Sequence, residues 1–172
     1  MVKSLLYTGP ALDDLHEQYA KQGRIDDRAA VRARCDVAID APVETVWDVL
    51  ATPAAWSRID PAIHDVRLSG ALAPDTSFSW VNGKASIRSR FAVVRPDEEL
   101  TWTGVSFGAR AVHRHVLRRR ADGGTDLEVS ESMAGPLLGL FFGEAKLRAA
   151  LTSWAAGIRR AAEDLGGPGI AS

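Results

Sequence analysis

ARAVHRHVLRRR, residues 109–120, sets two histidines two positions apart among five arginines. In a β-strand, residues two apart share a face. His113 and His115 then lie beside Ala109, Ala111 and Leu117. Arg110, Arg114, Arg118 and Arg120 lie on the opposite face with Val112 and Val116. Which face is inside decides whether the stretch is a basic patch, a metal site, a catalytic pair or the lining of an enclosed space.

The neighbouring segments answer through their turns. Asn82-Gly83 is a two-residue hairpin signal, expected to set Trp80 opposite Ala85 and Phe78 opposite Ile87. Pro96-Asp97 makes the next turn and pairs Phe91 with Trp102. A turn near Ser106 to Gly108 returns the chain as 109–117, and ADGG, 121–124, turns it into TDLEVSESM. Adjacent antiparallel strands with short links form a meander. Carrying the alternation through these turns puts Phe78, Trp80, Ala85, Ile87, Ser89, Phe91, Leu100, Trp102, Ala111, His113 and His115 on one face. Leu127, Val129, Glu131 and Met133 join it if the last loop has three or five residues or a bulge. Arg88, Arg90, Thr101, Thr103, Arg110 and Arg114 collect on the other face. The expectation is a wet arginine face and an inward histidine face.

Before the meander, VRARCDVAID (31–40) alternates as a half-buried strand, with Cys35 on its apolar side as a packed thiol. PVETVWDVLA (42–51) spaces Val43, Val46, Trp47 and Leu50 as a helix that Asp40 can cap, and PAAWSRI reads as a second short helix. After the meander, residues 136–165 read as one long helix of about 28 residues, on the order of 40 Å. Its stripe is Leu140, Leu147, Leu151, Trp154, Ile158 and Leu165. At the start, residues 10–22 read as a short helix with Asp13 and Asp14 in its first turn and Gly23 ending it.

The 172 residues fit one domain with a sizeable core. A net charge of −1 gives no global field toward nucleic acid or anionic membranes. The lone Cys35 excludes an intrachain disulfide and fits a reducing compartment. No stretch is long and apolar enough for a membrane span or a signal peptide, so a cytoplasmic protein is expected. The arginines of RHVLRRR, 114–120, sit beside Asp126 and Glu128 on the next strand, without an aromatic stacking platform. This argues against a nucleic-acid partner.

The order strand, two short helices, antiparallel meander, long C-terminal helix resembles the START-like, or helix-grip, superfamily. The branch it resembles is the polyketide cyclase/dehydrase type. The likeness is carried by IDAPVETVWDVLATPAAWSRIDPAI, SFSWVNGKASIRSRF, LTWTGVSFGARAVHRHV and GGTDLEVSESMAG. It implies an α+β fold in which a curved antiparallel sheet of six or seven strands wraps the C-terminal helix around a mostly apolar cavity. Members bind or transform lipids, sterols and polyketides, and the resemblance carries no shared catalytic motif. The expected organisation is an N-terminal arm (1–30), the START-like domain (31–165) and a frayed tail (166–172).

The expected ligand is a small hydrophobic molecule, aromatic or polycyclic. Candidate lining residues are Trp56, Trp80, Ser89, Phe91, Trp102, His113, His115, Glu131, Met133 and Phe141, with Trp56 placed near the mouth. His113 and Glu131 are the candidate acid–base pair for a cyclase, aromatase or dehydratase; the workable registers set Glu131 across from His113 or from His115. The same pair can equally be a polar contact that orients a ligand or survives as structure. Two histidines on one strand fall short of the three protein ligands of a zinc site, so neither a metal nor another cofactor is expected. A protein-interaction module with an incidental cavity is the third reading. Phe141 and Phe142 cannot both face inward, which leaves one as a lid or a homodimer contact.

Overall fold

The computed structural model describes residues 7–136 and 138–166, with the side chain of Phe141 left out. Seven strands run β1 (Val31–Ile39), β2 (Ile63–Leu68), β3 (Ser77–Asn82), β4 (Ala85–Arg95), β5 (Glu99–Ser106), β6 (Ala109–Arg119) and β7 (Thr125–Ala134). They form one antiparallel sheet in the order β1-β7-β6-β5-β4-β3-β2. The helices are α1 (Leu12–Gln18), α2 (Val43–Leu50), α3 (Leu138–Phe141) and α4 (Glu144–Gly166), with 3₁₀ turns at Ala20–Gln22 and Pro53–Arg58. This is the helix-grip arrangement: α4 packs against β1, β7 and α2 and closes the concave side of the sheet.

Alternation sets the inner face as expected, and the registers follow from the loops. Phe91 pairs Trp102, Trp102 pairs His113, and His113 pairs Glu131. The β6–β7 loop holds five residues between Arg119 and Thr125, the length that keeps Leu127, Val129, Glu131 and Met133 inward. The β3–β4 hairpin differs from expectation by one step. Its loop is Gly83-Lys84, so Trp80 faces Ile87 and Phe78 faces Ser89. Gly83, at φ +60°, takes the first loop position, and Asn82 stays in the strand. The shift is even, so each side chain keeps its face.

Other expectations change more. The helix over 136–165 is interrupted. α3 stops at Phe141 and α4 starts at Glu144, with Gly143, a poor helix former, between them. Leu140 and Leu165, expected in the apolar stripe, are exposed. Asp40 does not cap α2; it pairs with Arg120 instead. Gly23 does end the first helical segment, in the left-handed conformation at φ +64°. Of the expected tail, Gly166 closes α4 and 167–172 lie outside the described residues.

The outer face is not uniformly wet. Residues 7–30 lie across it, and Leu15 and Ala20 bury Ala92 and Val112 beneath them. Ala92 is the extra residue of a bulge between Phe91 and Val93. His16, fully buried, sets Nδ1 2.9 Å from Thr103 Oγ1 and Nε2 3.0 Å from Asp75 Oδ1. The backbone N–H of Asp26 donates to Ser132 Oγ at 3.0 Å. Alternation alone could not show this, because covering one face of a sheet leaves its period unchanged.

Candidate functional site

Aromatic rings fill the middle of the concave side. Trp56 stacks on Trp102 at 5.1 Å and meets Phe78, Trp80 and Trp154 edge to face. Phe78 stacks on Phe91 at 4.2 Å. Such pairs add about 0.5–1.5 kcal/mol each beyond the area they bury. Trp56 was expected near a mouth; it is fully buried, and its indole N–H donates to Leu50 O at 3.0 Å. A close approach of α4 makes this possible. A Cβ on Gly157 would stand 2.2 Å from Ile59 O, so only glycine lets Trp154 come this near to the 3₁₀ turn carrying Trp56.

Toward β6 and β7 the rings give way to a polar chain. His113 lies flat on Trp102 at 4.7 Å, with 10° between the planes. Its Nδ1 is 2.8 Å from Glu131 Oε2, and its Nε2 is 3.2 Å from His115 Nε2. Trp154 Nε1–H donates to that same His115 nitrogen at 2.8 Å, and His115 Nδ1 lies 3.2 Å from Leu100 O.

The proton positions follow from the partners. An indole N–H only donates, so His115 Nε2 accepts and the ring proton sits on Nδ1, facing the Leu100 carbonyl. His115 is therefore neutral. Complete burial, reinforced by the neighbouring His113, holds it well below the ordinary imidazole value. His113 Nε2, 3.2 Å away, meets a nitrogen whose one lone pair the indole already occupies, so that contact does not fix its proton. One proton fits the 2.8 Å contact between His113 Nδ1 and Glu131 Oε2. Either Nδ1–H donates to the carboxylate or the carboxylic acid donates to Nδ1.

His115 is sealed, whereas His113 and Glu131 keep 13% and 14% of their side-chain surface. The inward residues around them are also part-exposed and apolar: Ala111, Met133, Cys35 and, on the helix side, Leu138 and Phe142. Burial pushes the Cys35 thiol up, as a packed thiol requires. Trp80 is part-exposed and donates to Ser89 Oγ at 3.1 Å, which accounts for the inward serine. The structure thus brings His113, His115, Glu131 and Trp102 into contact. It sets Trp56, Trp80 and Phe91 in the adjoining rings, and Met133 two residues along β7 from Glu131. The side chain of Phe141 lies outside the described residues. Trp154 was expected as plain core and proves to be the donor that fixes His115; helical spacing shows which side an indole faces, not what its nitrogen meets.

Two hollows lie elsewhere. One of about 510 Å³ sits between Val49, Ile59 and Ala161, and one of about 620 Å³ runs along the outer side of β3–β5 beside α1. Among the described residues, His16, Glu17 and Asp75 bring donor atoms within 4.8 Å of one another. Lys21 Nζ already bridges both carboxylates, at 2.9 and 3.0 Å, so the group is satisfied as an ion-pair cluster.

The model of the family described as "Polyketide cyclase / dehydrase and lipid transport" matches residues 30–165. The chain belongs to that family. None of the curated proteins matches its sequence. Among solved structures it is similar to hypothetical protein jhp0584 from Helicobacter pylori, with a TM-score of 0.70 at 12% identity over 90% of this chain and 98% of that one. It is similar to DynU16, a protein of the dynemicin biosynthetic locus, with a TM-score of 0.61 at 22% identity. That match covers 78% of this chain and about half, 48%, of DynU16. It is also similar to norcoclaurine synthase from Thalictrum flavum, with a TM-score of 0.60 at 12% identity over 80% and 94% of the two chains. At these identities the likenesses show a shared fold. No helix among the described residues is long and apolar enough to cross a membrane.

Proposed function

We propose that this chain binds a small apolar, ring-containing molecule against the part-open end of the inward face. A polar group of the ligand bonds to the His113–Glu131 pair. The observation that supports this most is the position of the pair: two titratable groups, 2.8 Å apart, on an otherwise apolar inward surface and still reached by solvent. Family membership and a fold shared with norcoclaurine synthase are consistent with such a ligand.

A second reading, acid–base catalysis of the cyclase or dehydratase kind, draws on the single shared proton. A pair holding one proton can give it to a carbonyl oxygen and take one back from a carbon acid, so that over the two transfers its own charge is restored. Tryptophan fluorescence tests both readings, because Trp80 and Trp102 adjoin the site. Titration with polycyclic phenols, aromatic ketones and fatty acids is expected to give saturable quenching by one ring class. In Glu131→Gln, retained binding with lost turnover of that class selects the catalytic reading. Weakened binding where the wild type shows no turnover selects the binding reading. A flat response across the panel contradicts both and favours a protein-interaction role.

A further inference from the structure

The outer face carries a second feature, independent of the inward site. Most of its arginines have an acid. Arg114 bonds to Glu99, Arg118 and Arg34 to Glu128, Arg119 to Glu44 and Arg120 to Asp122. Arg67 and Arg88 have no carboxylate or hydrogen-bond partner among the described residues. Both line the 620 Å³ groove, with Arg90.

The register shows how they are arranged. Arg67 pairs with Ser79, and Ser79 pairs with Arg88, so the two arginines flank one serine on three neighbouring strands. Strands lie about 4.8 Å apart, which puts the two arginine Cα atoms roughly 10 Å from each other across that serine. Ser77 and Arg90 form the next row, and Ser69 also lines the groove. Asp13, at the rim, pairs with Arg90 at 3.2 Å and is the groove's one lining acid. Two positive charges stay uncompensated, above a floor of hydroxyls and beside Leu12 and Val105. Like charges held together on a sheet repel, and an oxyanion between them would relieve that.

We infer that this groove is a binding site for a phosphate monoester. Arg67 and Arg88 clamp the phosphoryl oxygens, Ser79 donates to them, and the apolar edge takes the ester's organic part. Guanidinium forks match phosphate geometry with paired hydrogen bonds, and the dianion balances the two free charges.

Isothermal titration at fixed ionic strength, with phenyl phosphate and with inorganic phosphate, tests the site. Cosedimentation with phosphatidylcholine vesicles, with and without phosphatidic acid, tests a lipid source of the same group. Saturable binding of phenyl phosphate at one per chain is expected. It should weaken about tenfold in Arg67→Gln and in Arg88→Gln, and stay unchanged in Arg160→Gln, which removes an equal charge from an exposed site elsewhere. Binding of the soluble probes alone assigns a free phosphate ester. Phosphatidic-acid-dependent cosedimentation, lost in both groove variants, assigns a lipid headgroup. Absence of saturation with every probe, or an equal loss in Arg160→Gln, overturns the inference.

Discussion

The two sides of β6 solve the same problem in opposite ways. Each holds a carboxylate mostly out of water, Glu99 wholly and Glu131 in part. On the outer side, Glu99 is buried and receives hydrogen bonds from Arg114 Nε at 2.9 Å and Thr101 Oγ1 at 2.8 Å. Burial alone would raise its carboxyl, and the bonds from Arg114 and Thr101 outweigh that and hold it below the usual range. On the inner side, Glu131 bonds among the described residues only to an imidazole. A guanidinium stays charged throughout the physiological range, so the outer pairs are fixed. A ring nitrogen can either donate or accept, so the proton between His113 and Glu131 is not confined to one partner. The difference separates an ion pair that holds the fold from one able to serve a ligand.

Breaking the outer side should cost the most. Arg114→Met strips buried Glu99 of the better buried of its two arginines and takes a contact from Glu128, and is expected to destabilise by about 3 kcal/mol in urea unfolding. Ring-ligand quenching should survive in the fraction that stays folded. Equal stability to wild type would mean that the outer pairs hold nothing.

Acid should act next. Unfolded, His16 and His115 take up protons near 6.5; folded, burial delays both to lower pH. Below 6.5 the unfolded chain binds more protons, so stability is full above that value and falls as pH drops beneath it. The slope is about 1.4 kcal/mol per pH unit for a fully buried imidazole such as His115. Glu99, lowered when folded, adds a further loss as pH falls below its unfolded value of 4.5. Urea midpoints between pH 7.5 and 5 measure the histidine effect. His16→Asn should keep only the His115 part of the slope above pH 5, and a flat profile in that variant would place a charged His115 in the core.

Glu131→Gln sharpens the contrast. The amide keeps a hydrogen bond to His113 but ends the proton sharing, so stability should change by no more than about 1 kcal/mol. A loss as large as that of Arg114→Met would make the inner pair structural. The smallest effect belongs to Arg119→Ala. Its pair with Glu44 is more than half exposed at both ends, and no measurable change in unfolding midpoint is expected.

Much of this contrast is legible in the sequence. Period-two alternation and the lengths of four turns place His113 and Glu131 inward on paired strands, and an odd-length last loop keeps them there. What alternation cannot give is cover. Nothing in 10–22 shows that His16 would reach Thr103 and Asp75, because a helix's apolar edge does not name its sheet. Spacing likewise reads Trp154 as apolar, and Trp56 is read near a mouth, without revealing that both indole nitrogens end on acceptors. The break before α4 was half visible in Gly139 and Gly143, but four residues of glycine spacing could not tell a lowered propensity from an actual end.

Nitrogen-15 NMR of the imidazole rings from pH 5 to 8 is the most direct test. His115 should remain neutral with its proton on Nδ1 throughout. His113 should show signals that Glu131→Gln alters and that a bound ring ligand alters in the wild type. A charged His115 at neutral pH, or a His113 indifferent to both changes, would contradict the single shared proton and with it the role of the inward pair.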